Sequence, residues 1–385
     1  MATGLIDIQP SILRWARQTL GLTLEEAARK LRREPNELAD WEAGNSKPTY
    51  VQLEKLAKRY KRPLLTFFLP APPEEATFTT DFRTLDSRVL DELDPPTRLG
   101  LRRAKALQLA LPTLFGSENP NRGLLNIFLE GNTTVEEVVK EVREVLELTP
   151  AVQAGWQEPY AAFNDLRTRI EENGVFAFQF SVEAARGFAL HDSEYPIIGI
   201  SSRDAVQGRI FTLLHELCHL FFEESNVLFP PYAERLLDEH RDIEKFCNQF
   251  AADMLLPLAL FEPAISKLPR DGNIKEASIK RLAQQFCVGR IVIVRRLHEL
   301  QYVNREFYLR KQRLYADQYN SKSTEKDSAS SGGPGHYRTK VSRLGKTFLN
   351  GVFDRVDSGQ LPELQAAQLI GVKIDNFDKL RDKIS

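Results

Sequence analysis

The run Phe211-Thr212-Leu213-Leu214-His215-Glu216-Leu217-Cys218-His219-Leu220-Phe221-Phe222 is the most informative in this 385-residue chain. Its apolar residues surround the polar ones, which predicts a helix buried over much of its circumference. Residues four apart lie one turn apart on the same face, so His215 and His219 can present two imidazoles to one zinc ion at about 2.0 to 2.1 Å each. Buried imidazoles need partners, and a metal ion is the economical one. The plainer alternative is a surface helix carrying two solvated histidines. Glu216 points partly away from the metal yet can reach a metal-bound water, which is where a general base must stand.

A catalytic zinc takes a third protein ligand and keeps one position open. The best candidate is Glu244, within Asp242-Ile243-Glu244-Lys245-Phe246-Cys247-Asn248-Gln249-Phe250-Ala251-Ala252. Glu244, Cys247, Asn248 and Ala251 share a helical stripe whose small members allow another helix to come close. Alternatively, Glu244 only stabilises the first turn of its helix through the helix dipole. Glu239, His240, Asp242 and His191 remain as other ligands. Cys218 is turned about 100 degrees off the face of the two histidines, and both Cys218 and Cys247 read as small core residues.

Working outward, Val175 to Phe180 and Ile197 to Ser201 predict short strands of a small sheet, separated by Gly187 and Pro196. Helical periodicity covers about 207–223, 242–256, 275–287 and 289–301, and upstream 87–115, 134–148 and 156–173. Near the beginning, Thr23 with Glu26 forms a capping box, Pro35 suits a first helical turn, Gly44 stops a helix and Pro48-Thr49 opens another. Pro70-Ala71-Pro72-Pro73 cannot continue a helix and marks a domain boundary. A Ser-, Lys- and Gly-rich connector runs from Asn320 to His336, before helical periodicity returns at 340–385.

Composition sets limits on this picture. With 42% hydrophobic and 27% charged residues the chain is globular, and its length implies two to three domains. A net charge of −1 excludes a polycationic nucleic-acid coat but allows a local basic patch. Three cysteines without CxxC spacing exclude a disulfide scaffold. The absence of a long uncharged apolar run leads to the expectation of a cytoplasmic protein with no signal peptide or membrane span.

Residues from about 160 to 300 resemble the ImmA/IrrE family of zinc-dependent metallo-endopeptidases. The resemblance rests on Ile170-Glu171, Gly174-Val175, Pro196-Ile197-Ile198, Phe211 through His219, and Glu244 through Pro257. It implies that His215, His219 and Glu244 bind Zn2+, that Glu216 activates water, and that another protein, commonly a repressor, is cleaved. Residues 11 to 69 resemble a Cro/repressor-like helix-turn-helix domain of the xenobiotic-response-element family, through Leu13-Arg14-Trp15-Ala16-Arg17, Leu22 to Ala28, Trp41-Glu42-Ala43-Gly44, Pro48-Thr49 and Leu53 to Ala57.

Residues 1–70 hold twelve Lys and Arg against eight Asp and Glu, a modest footprint for phosphate. The expected recognition helix carries Glu34, Glu37 and Asp40, which face a polyanion unfavourably. Asn36 is a base-reading candidate, with Arg33, Asn45 and Lys47 near the phosphates; the alternative is docking of proteins or dimerisation. Asp81-Phe82-Arg83 matches a segment that often follows the hinge in such fusions, and by itself is an acid and a base flanking an anchor. Arg295, Arg296, Arg305 and Arg310 read as a solvated basic face.

The expected architecture is multidomain and mainly α: an all-α helix-turn-helix domain (1–70), a helical linker region (71–155), an α+β zincin-like metallopeptidase domain with a small sheet (156–315), a flexible linker (316–339) and a small helical C-terminal unit (340–385). The expected function is zinc endopeptidase action on a regulatory protein, with double-stranded DNA as a further partner of residues 1–70 and no membrane. The alternative is a DNA-binding regulator or antitoxin whose protease-like domain is a sensor or docking platform without turnover.

Overall fold

The computed structural model describes residues 4–73, 93–127, 129, 133–183, 185–222, 226–228, 238–270, 273–323 and 335–383. The chain divides into two compact units, Met1–Arg103 and Ala104–Ser385. Asp81-Phe82-Arg83 lies outside the described residues.

In the first unit, α1 (Pro10–Gln18), α2 (Leu24–Leu31), α3 (Pro35–Ala43) and α4 (Tyr50–Tyr60) follow the sequence signals closely. The backbone of Glu26 donates to Thr23 Oγ1 at 3.2 Å while Thr23 N–H donates to Glu26 at 3.0 Å, closing the capping box that starts α2. Thr49 and Gln52 do the same for α4. Gly44, at φ +80, ends α3 in a left-handed turn that a Cβ would strain. Ile12, Ala16, Ala28, Leu38, Trp41, Leu53, Leu56 and Phe67 fill the core. Glu42 is buried among them and is matched by Arg17, whose Nε and Nη2 donate to its two oxygens at 2.7 and 2.8 Å.

Helix α5 (Pro95–Phe115) contains the division between the units. The second unit continues with α6 (Val135–Val145), α7 (Pro150–Ala154) and α8 (Pro159–Glu172), then β1 (Phe176–Phe180), β2 (Gly187–Leu190) and β3 (Ile197–Ser201). The helix α9 (Val206–Phe221), the short strand β4 (Asn226–Leu228) and α10 (Asp238–Leu255) come next. They precede α11 (Leu258–Ile265), α12 (Glu276–Gln285), α13 (Arg290–Glu299) and α14 (Arg305–Ser323). Helices α15 (Gly335–Leu344), α16 (Lys346–Asp357), α17 (Glu363–Ile370) and α18 (Phe377–Arg381) complete the unit. Among the described residues, no helix is long and apolar enough to cross a membrane.

The sheet has the order β1-β3-β2-β4, with β1 and β3 parallel and the other pairs antiparallel. Strand β2 is one that sequence reasoning passed over, because Gly187 was read as a separator. Its four residues are all buried, so they lack the polar alternation that marks a half-exposed strand.

A single apolar core runs from Val138, Val142 and Leu146 of α6 through Phe163 and Leu166 of α8 to Leu213 and Leu217 of α9 and Phe250 of α10. Helix α6 thus buries its apolar face in the same core as α9. Helices α15 and α16 are docked on the sheet as well. Phe348 meets Phe178 edge to face at 5.2 Å, and Gln179 donates to the carbonyl of Ser342 at 2.6 Å. The segment between α14 and α15, 324–334, lies outside the described residues.

Candidate metal centre

Helix α9 is apolar enough to be buried along almost its whole length from Thr212 to Phe221, and this puts His215 and His219 out of solvent. Their Nε2 atoms lie 3.1 Å apart, as i,i+4 stacking on one face requires. Phe211, one turn before, stacks on the His215 ring with centroids 6.2 Å apart.

Helix α10 crosses α9 closely because Cys247 and Ala251, both fully buried, present little bulk at the contact. Glu244 therefore reaches the histidine pair, with Oε2 3.4 Å from His215 Nε2 and Oε1 3.2 Å from His219 Nε2. One donor atom from each of the three residues lies within 4.8 Å of the others, a group able to hold a metal ion. Ligand bonds of about 2.0 to 2.2 Å at tetrahedral angles put donors about 3.3 Å apart. The observed 3.1 to 3.4 Å separations match that spacing.

The electrostatics of the cluster point the same way. The His215 pKa is lowered chiefly by burial, against the hydrogen bond that its ring donates to Glu244. Burial also acts to lower His219, but Cys247, Glu244 and Glu216 together hold it well above the usual imidazole range. Burial pushes Glu244 upward, and its hydrogen bonds with the two imidazoles outweigh that and keep the carboxyl far below the usual range. The ion-free cluster is thus a carboxylate sharing protons with imidazole, and a divalent cation can take the place of that positive charge.

Glu216 is completely buried, and neither carboxylate oxygen has a hydrogen-bond partner among the described residues. Burial pushes its pKa up to about 8, with His219 acting against the rise and Glu244 adding to it. It lies against Gly187 of β2, where a Cβ would collide with Thr212 and come within 3.0 Å of Glu216 Oε1. Gly187 is therefore needed for Glu216 to occupy this place. A glycine at a strand position can mark close approach, and Gly187 ahead of the apolar Phe188-Ala189-Leu190 was the signal available in the sequence.

Of the other ligands considered, the Asp242 side chain is largely exposed and pairs with Lys245 at 2.6 Å. His191 follows β2 and is not part of the three-residue group. The side chains of Glu239 and His240 lie outside the described residues. All three cysteines are buried free thiols.

The basic face expected at Arg295 and Arg296 needs correction. Arg296 is buried and paired with Asp253 of α10 at 2.5 Å and with Glu299 at 3.1 Å. Arg295 pairs with Glu299 at 3.0 Å, and its charge is felt at His215. Apolar positions on both sides of the arginine pair turn α13 inward, and the acidic residues compensate the buried charge.

In the helix-turn-helix unit, Asn36 is exposed on α3. The other DNA-contact candidates are held by acids within the chain: Arg33 by Glu37 at 3.4 Å, Asn45 by Asp40 at 3.3 Å and Lys47 by Asp7 at 2.9 Å.

Comparison with known families agrees with this organisation. Residues 171–298 match the family model described as the IrrE N-terminal-like domain, a peptidase family, and residues 12–64 match a helix-turn-helix domain. No curated protein is significantly similar to the chain. The chain therefore has the ImmA/IrrE architecture: a metallopeptidase-family domain at residues 171–298 combined with a helix-turn-helix domain at residues 12–64.

Proposed function

We propose that the chain is a cytoplasmic zinc endopeptidase that cleaves a regulatory protein, such as a repressor or antitoxin. The observation that carries this reading is the approach of Glu244 to the two imidazoles at ligand spacing, with Glu216 buried beside them. His215, His219 and Glu244 would hold the ion. When bound, zinc supplies a Lewis acid for the scissile carbonyl and lowers the pKa of its water. Glu216 takes a proton from the attacking water and delivers it to the leaving amine, so the peptide bond is exchanged for a carboxylate and an amine. The test is to compare extracts treated with zinc-loaded wild type and with Glu216→Gln for new protein N-termini. New termini confined to the wild-type arm support peptidase action, and identical arms refute it.

Metal loading should release a proton. His219 is raised well above the usual imidazole value, so its protonated form competes with the metal even near neutrality, and competition weakens as pH rises. Apparent zinc affinity, measured with a competing chelator on either side of neutrality, is expected to increase with pH. An affinity that does not change with pH would contradict the shared-proton description.

A second reading, in which DNA is the main partner and the metal centre only a sensor, draws on the helix-turn-helix domain at residues 12–64. Arg33, Asn36, Asn45 and Lys47 would make the contacts. Three of these must first leave their acidic partners, and Glu34, Glu37 and Asp40 repel phosphate. Duplex binding is therefore expected to be weak and lost at moderate salt, as followed by fluorescence anisotropy. Tight binding that survives added salt would favour the second reading.

A further inference from the structure

Imidazoles that ligate metals generally donate their second ring N–H to an acceptor, which fixes tautomer and ring orientation. His215 is held differently. The residue is fully buried, and its Nε2 faces His219 Nε2 at 3.1 Å and Glu244 Oε2 at 3.4 Å. Among the described residues its Nδ1 is buried and has no hydrogen-bond partner. Aromatic neighbours bracket the ring along α9 instead. His219 meets it edge to face from the following turn, with centroids 4.8 Å apart. Phe211 stacks on it from the preceding turn, with centroids 6.2 Å apart and planes inclined by 28°. That separation lies within the range of an offset aromatic pair. Phe211 is only half-buried, whereas every residue from Thr212 to Phe221 is buried, so its ring lies at the border of the site and not deep in the core.

Resting on the metallopeptidase reading above, we propose that Phe211 is a positioning residue for the metal centre: its ring, stacked on His215, limits rotation of the imidazole about Cβ–Cγ and keeps Nε2 aimed at the ion. Packing then does for this ligand what a second hydrogen bond does for most. Phe211 acts through His215 and does not itself ligate. A side chain already fixed before binding loses less freedom when the ion arrives, which is worth about 2- to 10-fold in affinity.

The test is zinc affinity by chelator competition on the full chain, for wild type, Phe211→Leu and Phe211→Tyr. Leucine keeps an apolar side chain of good helix propensity but removes the ring, and tyrosine restores the ring. The leucine variant is expected to bind zinc about 2- to 10-fold more weakly, with tyrosine close to wild type. Thermal unfolding of the metal-free proteins separates positioning from packing, because a positioning role lowers affinity while the metal-free midpoint stays in place. Should leucine loosen the fold, Phe211→Met serves as the ring-free variant in its stead. A ring-free variant binding as tightly as wild type would overturn the proposal, and so would tyrosine and leucine losing affinity equally. An affinity that falls only in step with the metal-free midpoint in both ring-free variants would also overturn it. Wild type that takes up no zinc would instead refute the metallopeptidase reading itself.

Discussion

Glu216→Gln is expected to keep its zinc and lose about 10²- to 10⁴-fold in cleavage rate, the range that a positioned proton-transfer group contributes. Glutamine has nearly the same shape and fits beside Gly187 as the carboxyl does, but it cannot take a proton from water. Among the described residues neither Glu216 oxygen has a hydrogen-bond partner for the substitution to break. It also removes an ionisable group that burial already disfavours as an anion. Stability and metal content should therefore be unchanged while turnover falls. The measurement is the cleavage rate of the substrate found through its new N-termini, at matched zinc content. An undiminished rate would remove Glu216 from the chemistry.

Arg167→Ala should cost about 3 to 5 kcal/mol of stability, because it strands a buried charge. Arg167 and Glu171 are 4% and 1% exposed, with Arg167 Nε 2.8 Å from Glu171 Oε1. The same guanidinium donates to the carbonyl of Ser342 at 2.6 Å and to that of Ala177. It therefore joins α8, β1 and the end of α15. Gly345, at φ +85, packs so tightly on this pair that a Cβ would collide with the guanidinium. Without Arg167, the Glu171 carboxylate keeps, among the described residues, the Ala177 N–H at 3.4 Å, and the Ser342 carbonyl is left to Gln179. Urea unfolding of wild type and variant measures the loss, and a change below about 1 kcal/mol would mean that the pair is effectively solvated.

These two sites show what could be read without coordinates. The His215 and His219 spacing and the Thr23–Glu26 and Thr49–Gln52 caps are local, so a few residues determine their geometry. The approach of Glu244 is not local. It lies 25 residues beyond His219, and residue type made Glu239, His240 and Asp242 comparable ligands; only the close crossing at Cys247 and Ala251 distinguishes them.

Arg167 and Glu171 have the i,i+4 spacing of an ordinary solvated pair. Their burial depends on backbone carbonyls 175 positions further along, which no local pattern reveals. The pairing of Arg33, Asn45 and Lys47 with acids was equally hidden, since net charge counts residues and not their partners. Gly187 reads in the sequence as a separator between strands, and its role required the helix beneath it.

Metal content is the most direct test of the central claim. Wild type and Glu244→Ala, purified identically and dialysed against zinc-free buffer, are compared by elemental analysis with a thermal melt as a fold control. About one zinc per wild-type chain and a marked loss in the folded variant is the expected result. Equal metal content in the two proteins, or none in either, would contradict a centre built from His215, His219 and Glu244.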